Sequence, residues 1–505
     1  MFASSVEAHA GGYEAGEPRL VSARLIADLE TPVSAFLKLS AGRSGRVFLL
    51  ESVEGGAARG RYSMIGLDPD ILWRAYGGNA EINRRALSDP DDFKPCPEPP
   101  LDSLRALIAE SRIETPEDLP PMAAGVFGYL GYDMVRQMER LGPGKQDQIG
   151  APDAMMLRPT VMVVFDAVKE EIFVVTPLRP AQGISFRAAY DGALERIEAV
   201  VATLEGPLAH ESLAADPFLA AGEPRSNTAE SRFREMVERA KDYIRAGDIF
   251  QVVLSQRFSA PFALPAFSLY RALRRVNPSP FLCYLDFGPF QIVCSSPEIL
   301  VRVREGKVTI RPIAGTRWRG KTKAEDDSLA LDLLADEKEC AEHLMLLDLG
   351  RNDVGRVAEI GSVEVTEKFA IERYSHVMHI VSNVEGRLGA GHDVIDALCA
   401  GFPAGTVSGA PKVRAMEIID ELETDKRGVY GGCIGYFGAS GEMDTCIILR
   451  TAIVKDGVMH VQAGAGIVYD SDPAYEQREC VNKAQALFRA AEEAVRFATR
   501  VKRGQ

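Results

Sequence analysis

Histidine is scarce in this chain, at 7 of 505 residues. The eight cysteines (96, 283, 294, 340, 399, 433, 446 and 480) are scattered, with no C-x-x-C pair among them. That spacing excludes a disulfide scaffold and a zinc ribbon, and fits a reduced, cytoplasmic protein with buried thiols. No apolar run approaches the ~20 residues that span a bilayer, which argues against an integral membrane protein. The first twenty residues carry acids and glycines instead of a basic start and an apolar stretch, so no secretory signal is expected. Positive charge is also short: 58 Lys+Arg against 72 Asp+Glu leave a net −14. A nucleic-acid binder of that balance would be repelled by phosphates, and the basic tail 500–503 reads as the cap of a solvated helix. What is present is ordinary for a globular enzyme, with 46% hydrophobic and 26% charged residues. Disorder is excluded, and the length allows about three domains at ~150 residues each, or fewer large ones.

The clearest seam is 203–227, rich in Ala, Pro and Gly. It predicts two lobes, 1–205 and 228–505. A helix is expected over 186–204 and another opening at Asn227, whose Glu230 completes a capping-box-like start. In the first lobe strands are expected at 47–50, 124–129, 161–165 and 172–175, with a loop over the five prolines of 89–100. In the second they are expected at 250–256, 281–285, 291–294, 308–313, 435–437, 446–454 and 460–463, with long helices over 326–349, 413–422 and 474–497. Strands in succession followed by helices indicate α+β, a layered sandwich, and not a regular βαβ barrel.

Two glycine motifs are deceptive. Gly315 to Thr322 fits the phosphate-loop pattern G-x-x-x-x-G-K-[ST]. No helical pattern starts at Lys321, however, and the Walker-B-like run ending at Asp348 lies in a helical segment. Gly464-Ala465-Gly466 lacks the third glycine of a dinucleotide fingerprint; it reads as a tight strand-end turn or as amides offered to an anion. Two acidic pairs carry more. Glu339 with Glu342, and Glu476 with Glu479, each put carboxylates at i and i+3 on one helix face. Either alone is an exposed acidic stripe; facing each other, they form a cage of hard oxygens that suits magnesium. Lys483 is at i+4 from Glu479, as an ion-pair partner or an anion ligand. His376 and His379 lack a third ligand, so a single acid/base histidine is the better reading. The run 405–412 enters a helix at Pro411, a ready anion site.

Gln251-Val252-Val253-Leu254-Ser255-Gln256-Arg257, Ser295-Ser296-Pro297-Glu298, Pro312 to Thr316, Ala341-Glu342-His343, Leu349 to Asp353, Gly405 to Lys412 and Gln462 to Gly466 together resemble the chorismate-utilising enzymes, most closely the anthranilate synthase component I group. A weaker match lies in Leu49-Leu50-Glu51-Ser52 and Arg61-Tyr62-Ser63. The resemblance implies a sandwich built around large antiparallel sheets. It further implies that Glu342 and Glu479 ligate Mg²⁺ with Glu339 and Glu476 behind them. Gly315, Thr316, Thr406, Tyr430, Arg450, Gly464, Ala465, Gly466 and Lys483 would contact chorismate, Arg450 gripping a carboxylate. Glu298 would protonate the departing hydroxyl and His379 would assist loss of pyruvate. Water-adding relatives resemble one another in a lysine where this chain has Gln251, and aminodeoxychorismate synthases commonly carry one at Ala314. Both absences favour ammonia as the nucleophile. Aminodeoxychorismate synthase, a water-adding isochorismate or salicylate synthase, and a silent tryptophan-binding regulator remain the alternatives.

The resemblance also implies feedback by L-tryptophan, in a pocket formed by Glu51, Ser52 and Arg61 from the first lobe. Pro280, Phe281, Leu282, Ile434, Tyr436 and Cys446 would supply the opposite wall. No cysteine has the G-x-C-x-G setting of a glutamine amidotransferase; Cys433, in Gly431-Gly432-Cys433-Ile434-Gly435, comes nearest. A separate amidotransferase subunit is therefore expected to supply ammonia.

Overall fold

A computed structural model describes residues 6–52, 60–208, 222–374 and 377–499. The basic tail, His376 and residues 209–221 of the seam lie outside the described residues. Two long partners, Tyr62–Tyr76 and Ala154–Asp166, run antiparallel along nearly their whole length and carry two sheets between them. At Pro69/Ile71 their register shifts, and Asp68 beside it has φ 49°. An irregularity of this kind bends a strand and lets it pass from one layer to the next. On one side of the bend, Tyr62–Tyr76 pairs with Val47–Glu51. That ladder continues through Phe281–Asp286, Phe290–Ser296, Thr451–Lys455 and Val458–Ile467 to Gln251–Pro261. On the other side, Ala154–Asp166 pairs with Gly125–Leu130. From there the ladder runs through Cys433–Gly438, Met443–Ile447, Ile299–Arg304 and Lys307–Ile310 to Val377–Arg387. Every pairing in both ladders is antiparallel, and strands of residues 1–205 and 228–505 pair with one another in each.

Alternation along Val47–Glu51 shows how the layers are built. Phe48 and Leu50 face inward between the sheets with Phe127, Tyr129, Cys283, Leu285 and Tyr436. Val47 and Leu49 face outward beneath the helices Pro32–Ser40, Phe186–Glu205, Ala266–Val276 and Pro473–Thr499, which supply Phe36, Ile197, Leu273 and Leu487. The strand is buried on both faces, so it reads as a continuous apolar run. Phe48, Phe127 and Tyr129 are fully buried, each stabilising by roughly 2–3 kcal/mol.

Several boundaries differ from expectation. The helix after the seam is Glu230–Arg245, capped at Ala229 without a side chain, because Asn227 instead accepts the Arg257 amide. The helix expected over 326–349 is two, Lys323–Ala335 and Glu337–Gly355. Asp336 breaks it by accepting the Lys338 and Glu339 amides as an N-cap. A helix does open two residues after Lys321, but Ile313–Trp318 is a strand, so Gly315 to Thr322 cannot wrap a phosphate.

Candidate active site

A cavity of about 510 Å³ opens between the Pro473–Thr499 helix, the 276–280 segment and the Val377–Arg387 strand. His379, Arg450, Glu479 and Lys483 line it, as does Pro280. Arg450, Arg478, Lys483 and Arg489 face one acid, Glu479, across its wall. That imbalance selects an anionic ligand. Trp318, Tyr374, Tyr475, Arg478, Asn482 and Arg489, which also line it, were missed from the sequence. Four of them had a signal, since 475, 478, 482 and 489 continue the helical face of Glu479 and Lys483. Asn277 carries a buried side-chain nitrogen without a partner.

Arg450 sits between the strands Met443–Ile447 and Thr451–Lys455 with φ 48°, where the chain breaks the single strand expected over 446–454. A non-glycine residue in this region is strained and marks functional sites. Among the described residues none hydrogen-bonds its guanidinium, although Glu298 and Tyr374 reach it by charge. A planar fork in that state is suited to a carboxylate.

Glu298 lies beside a smaller recess of about 30 Å³ that also holds Gly405 and Thr406. Burial pushes its carboxyl up to about 8, against weaker opposing effects of Thr406, the Ile313 amide and Arg450. Thr406 donates to the two carboxylate oxygens at 3.4 and 3.3 Å. Glu298 is therefore mostly protonated at neutral pH and able to donate. His379 Nδ1 donates to the Gly315 carbonyl at 2.9 Å and contacts Thr316 Oγ1 at 3.1 Å, which leaves the lone pair on Nε2. Burial, chiefly, lowers its pKa and keeps it neutral. Gly315 has φ 69° at a register shift in the Ile313–Trp318 strand, which turns its carbonyl to this histidine.

Gly464, Ala465 and Gly466 are in mid-strand, opposite Ser255, Leu254 and Val253, and do not form a turn. A Cβ at 464 would lie 2.9 Å from Tyr430 Oη, and one at 466 would lie 2.7 Å from Gln251 Nε2. Glycine here permits close approach. Gln251 donates to Glu342 at 3.3 Å. Glu339 and Glu476 are both pushed upward, by burial first and then by the charge of Glu342 and Glu479 respectively. Glu476, at the start of the Pro473–Thr499 helix, also feels the charge of Lys338 at the start of Glu337–Gly355. Glu479 pairs with Lys483 at 2.6 Å, and Lys483 bonds the Gly464 carbonyl at 3.0 Å. Among the described residues no three of these carboxylates bring oxygens within 4.8 Å of one another; the one such grouping is Cys283, Cys294 and Cys446, between the sheets. The donor chemistry, four hard carboxylates on two helices with no soft ligand among them, fits a divalent cation such as magnesium.

The residues expected to hold tryptophan divide between two faces. Glu51 is buried on the helix side, held by Tyr270 and by Arg274 at 2.9 and 3.1 Å. Leu282 shares that side, whereas Ile434, Tyr436 and Cys446 lie between the sheets with Phe281 at their margin. Arg61 pairs with Asp166 at 2.8 Å and covers the Tyr62 ring. Ser52 ends the described stretch.

The model of the chorismate binding enzyme family matches residues 62–489. The chain is 58% identical over 502 residues to anthranilate synthase component 1 of Cereibacter sphaeroides, covering 99% of this chain and 100% of that one. It is 49% identical to the protein of that name from Thermus thermophilus, over 92% of this chain and 96% of the other. Among solved structures, anthranilate synthase component I of Streptococcus pneumoniae superposes with a TM-score of 0.75 at 40% identity, covering 92% and 99% of the two chains. The menaquinone-specific isochorismate synthase of Escherichia coli, at 20% identity and a TM-score of 0.70 over 97% and 100%, shares the fold.

Proposed function

The chain belongs to the chorismate-binding enzymes, and from that premise we propose that it is the component I of an anthranilate synthase, a lyase of tryptophan biosynthesis converting chorismate and ammonia to anthranilate and pyruvate. The observation that carries the choice of nucleophile is Gln251, a neutral amide bonded to Glu342 where a water-adding enzyme needs a base. Water would lack activation there, whereas ammonia brings its own lone pair. Arg450 and Lys483 hold the substrate carboxylates. As ammonia adds at C2, Glu298 passes its proton to the C4 oxygen, which leaves as water; the new C2 ammonium then gives up one proton, which balances the one Glu298 has lost. The lone pair of His379 then accepts the C2 proton, the C3–O bond of the enolpyruvyl ether breaks and the ring becomes aromatic; the departing enolpyruvate takes up a proton on its methylene carbon to become pyruvate. Glu342 and Glu479 would hold Mg²⁺, backed by Glu339 and Glu476, and the ion would supply positive charge for the ring carboxylate.

Ammonia would come from glutamine through a partner amidotransferase subunit. All eight cysteines are free and none has the glycine-flanked setting of an amidotransferase nucleophile, which supports a cytoplasmic setting and an external source of ammonia. Among the described residues no helix is long and apolar enough to cross a membrane. Residues 1–205 would contribute Glu51 and Ser52 to a tryptophan pocket closed by the 228–505 stretch. Incubating the purified chain with chorismate, Mg²⁺ and an ammonium salt should give anthranilate and pyruvate in equal amounts, and glutamine in place of ammonium should give none. Isochorismate, salicylate or aminodeoxychorismate as the end product would overturn this reading.

A further inference from the structure

Arg427 and Glu423 form a fully buried ion pair that does not line the 510 Å³ cavity. The guanidinium donates to both carboxylate oxygens, at 2.9 and 2.6 Å, and to two backbone carbonyls, Val407 and Val253, each at 2.6 Å. Val407 follows Thr406; Val253 pairs with Gly466. The rings of Tyr132 and Tyr430 cover the same guanidinium at 4.6 and 5.6 Å. Glu423 extends the reach, for its Oε1 accepts the Ser255 amide at 2.7 Å and hydroxyl at 2.8 Å. Ser255 Oγ in turn accepts from Gln462 at 2.8 Å, and Ser255 pairs with Gly464. One ion pair thus ties together the Gly405–Val407 turn, Tyr430, the Gln251–Pro261 strand and the glycine-bearing strand.

A buried ion pair is poor value for stability, since desolvation offsets much of its attraction and an apolar pair of equal volume often does as well. An apolar pair would not fix two carbonyls and two rings. We propose that Arg427, oriented by Glu423, is a positioning residue that holds Thr406 within reach of Glu298 and keeps the glycine strand in register against the substrate. The inference rests on the reading of Glu298 as proton donor. Thr406 is already at 3.3–3.4 Å from that carboxylate, so a small shift of Val407 removes the contact. Lysine cannot replace arginine here, because a point charge lacks the planar fork that reaches Glu423 and both carbonyls at once.

The test is Arg427→Lys, which keeps the charge beside Glu423, compared with Thr406→Val, Glu298→Gln and the Arg427→Lys/Thr406→Val double variant in ammonium-driven turnover. Arg427→Lys should lower kcat about tenfold or more while chorismate KM stays within about threefold. Its alkaline kcat limb should move to higher pH, as in Thr406→Val, because a bond to the ionised carboxylate is lost. The double variant should be about as slow as the slower single one. The other groups that reach Glu298 by charge, Arg450 and Tyr374, are untouched by these changes. Unchanged kcat, or additive losses with an unmoved limb and only a lower Tm, would overturn the proposal. If instead Glu298→Gln and Thr406→Val themselves leave turnover intact, the proton-donor reading fails, and this inference fails with it.

Discussion

Glu51 and Glu298 are glutamates buried in the same sandwich, one at the end of a strand in the first sheet and the other between two strands at the candidate active site. Arg274 clasps Glu51 with two bonds and Tyr270 adds a third. Glu298 has a distant threonine hydroxyl, the Ile313 amide and the field of an arginine that does not touch it, and, among the described residues, no cation in direct contact. The first is a carboxylate whose charge is answered within the core. The second is held as an acid because nothing nearby answers its charge fully. Burial alone therefore does not make a carboxyl reactive; what is decisive is whether a cation has been placed against it.

The largest effect expected is at the acidic quartet, the proposed magnesium site. Glu342→Gln and Glu479→Gln should each reduce anthranilate formation by about 10³-fold or more with unchanged far-UV circular dichroism. Near-normal activity of both at saturating Mg²⁺ would remove the metal reading. Glu298→Gln should cost about 10²–10⁴-fold in kcat, the usual range for a lost general acid, with little change in Tm. The opposite pattern is expected across the sheet. Arg274→Met strands the Glu51 charge and should lower unfolding stability by about 2–3 kcal/mol in urea melts, less than for a wholly buried pair because Arg274 is 34% exposed. Its kcat per folded molecule should remain within about twofold of the parent. The smallest effect on turnover is expected of Ser52→Phe, which should fill the proposed tryptophan pocket and remove a coupling of about 1–3 kcal/mol between tryptophan and chorismate. A variant as tryptophan-sensitive as its parent would put the pocket elsewhere.

Much of this was legible in the sequence because it was local. The i,i+3 acidic pairs and the face of the Pro473–Thr499 helix follow from spacing alone, and that face also carries the cavity cations that went unnoticed. The motifs around Glu298, Thr406 and Gly464 pointed to the family. What could not be read was long-range or conformational. The partners of Glu51 lie 219 and 223 residues away. The kink at Arg450 looks like uninterrupted strand, because positive φ leaves no mark in a Cys-Ile-Ile-Leu-Arg-Thr run. Asp336 was a cap hidden inside a helical pattern, and the glycines of 464–466 looked like a turn when their purpose is close approach from Tyr430 and Gln251.

Infrared difference spectroscopy of the carboxylic C=O stretch, wild type minus Glu298→Gln, tests the central claim most directly. With Glu298 at about 8, the protonated band should be present at pH 7 and fade as pH rises through about 8. A band already absent at pH 7, with the ionised form appearing near pH 4.5, would contradict the account of Glu298 as a proton donor kept neutral by burial.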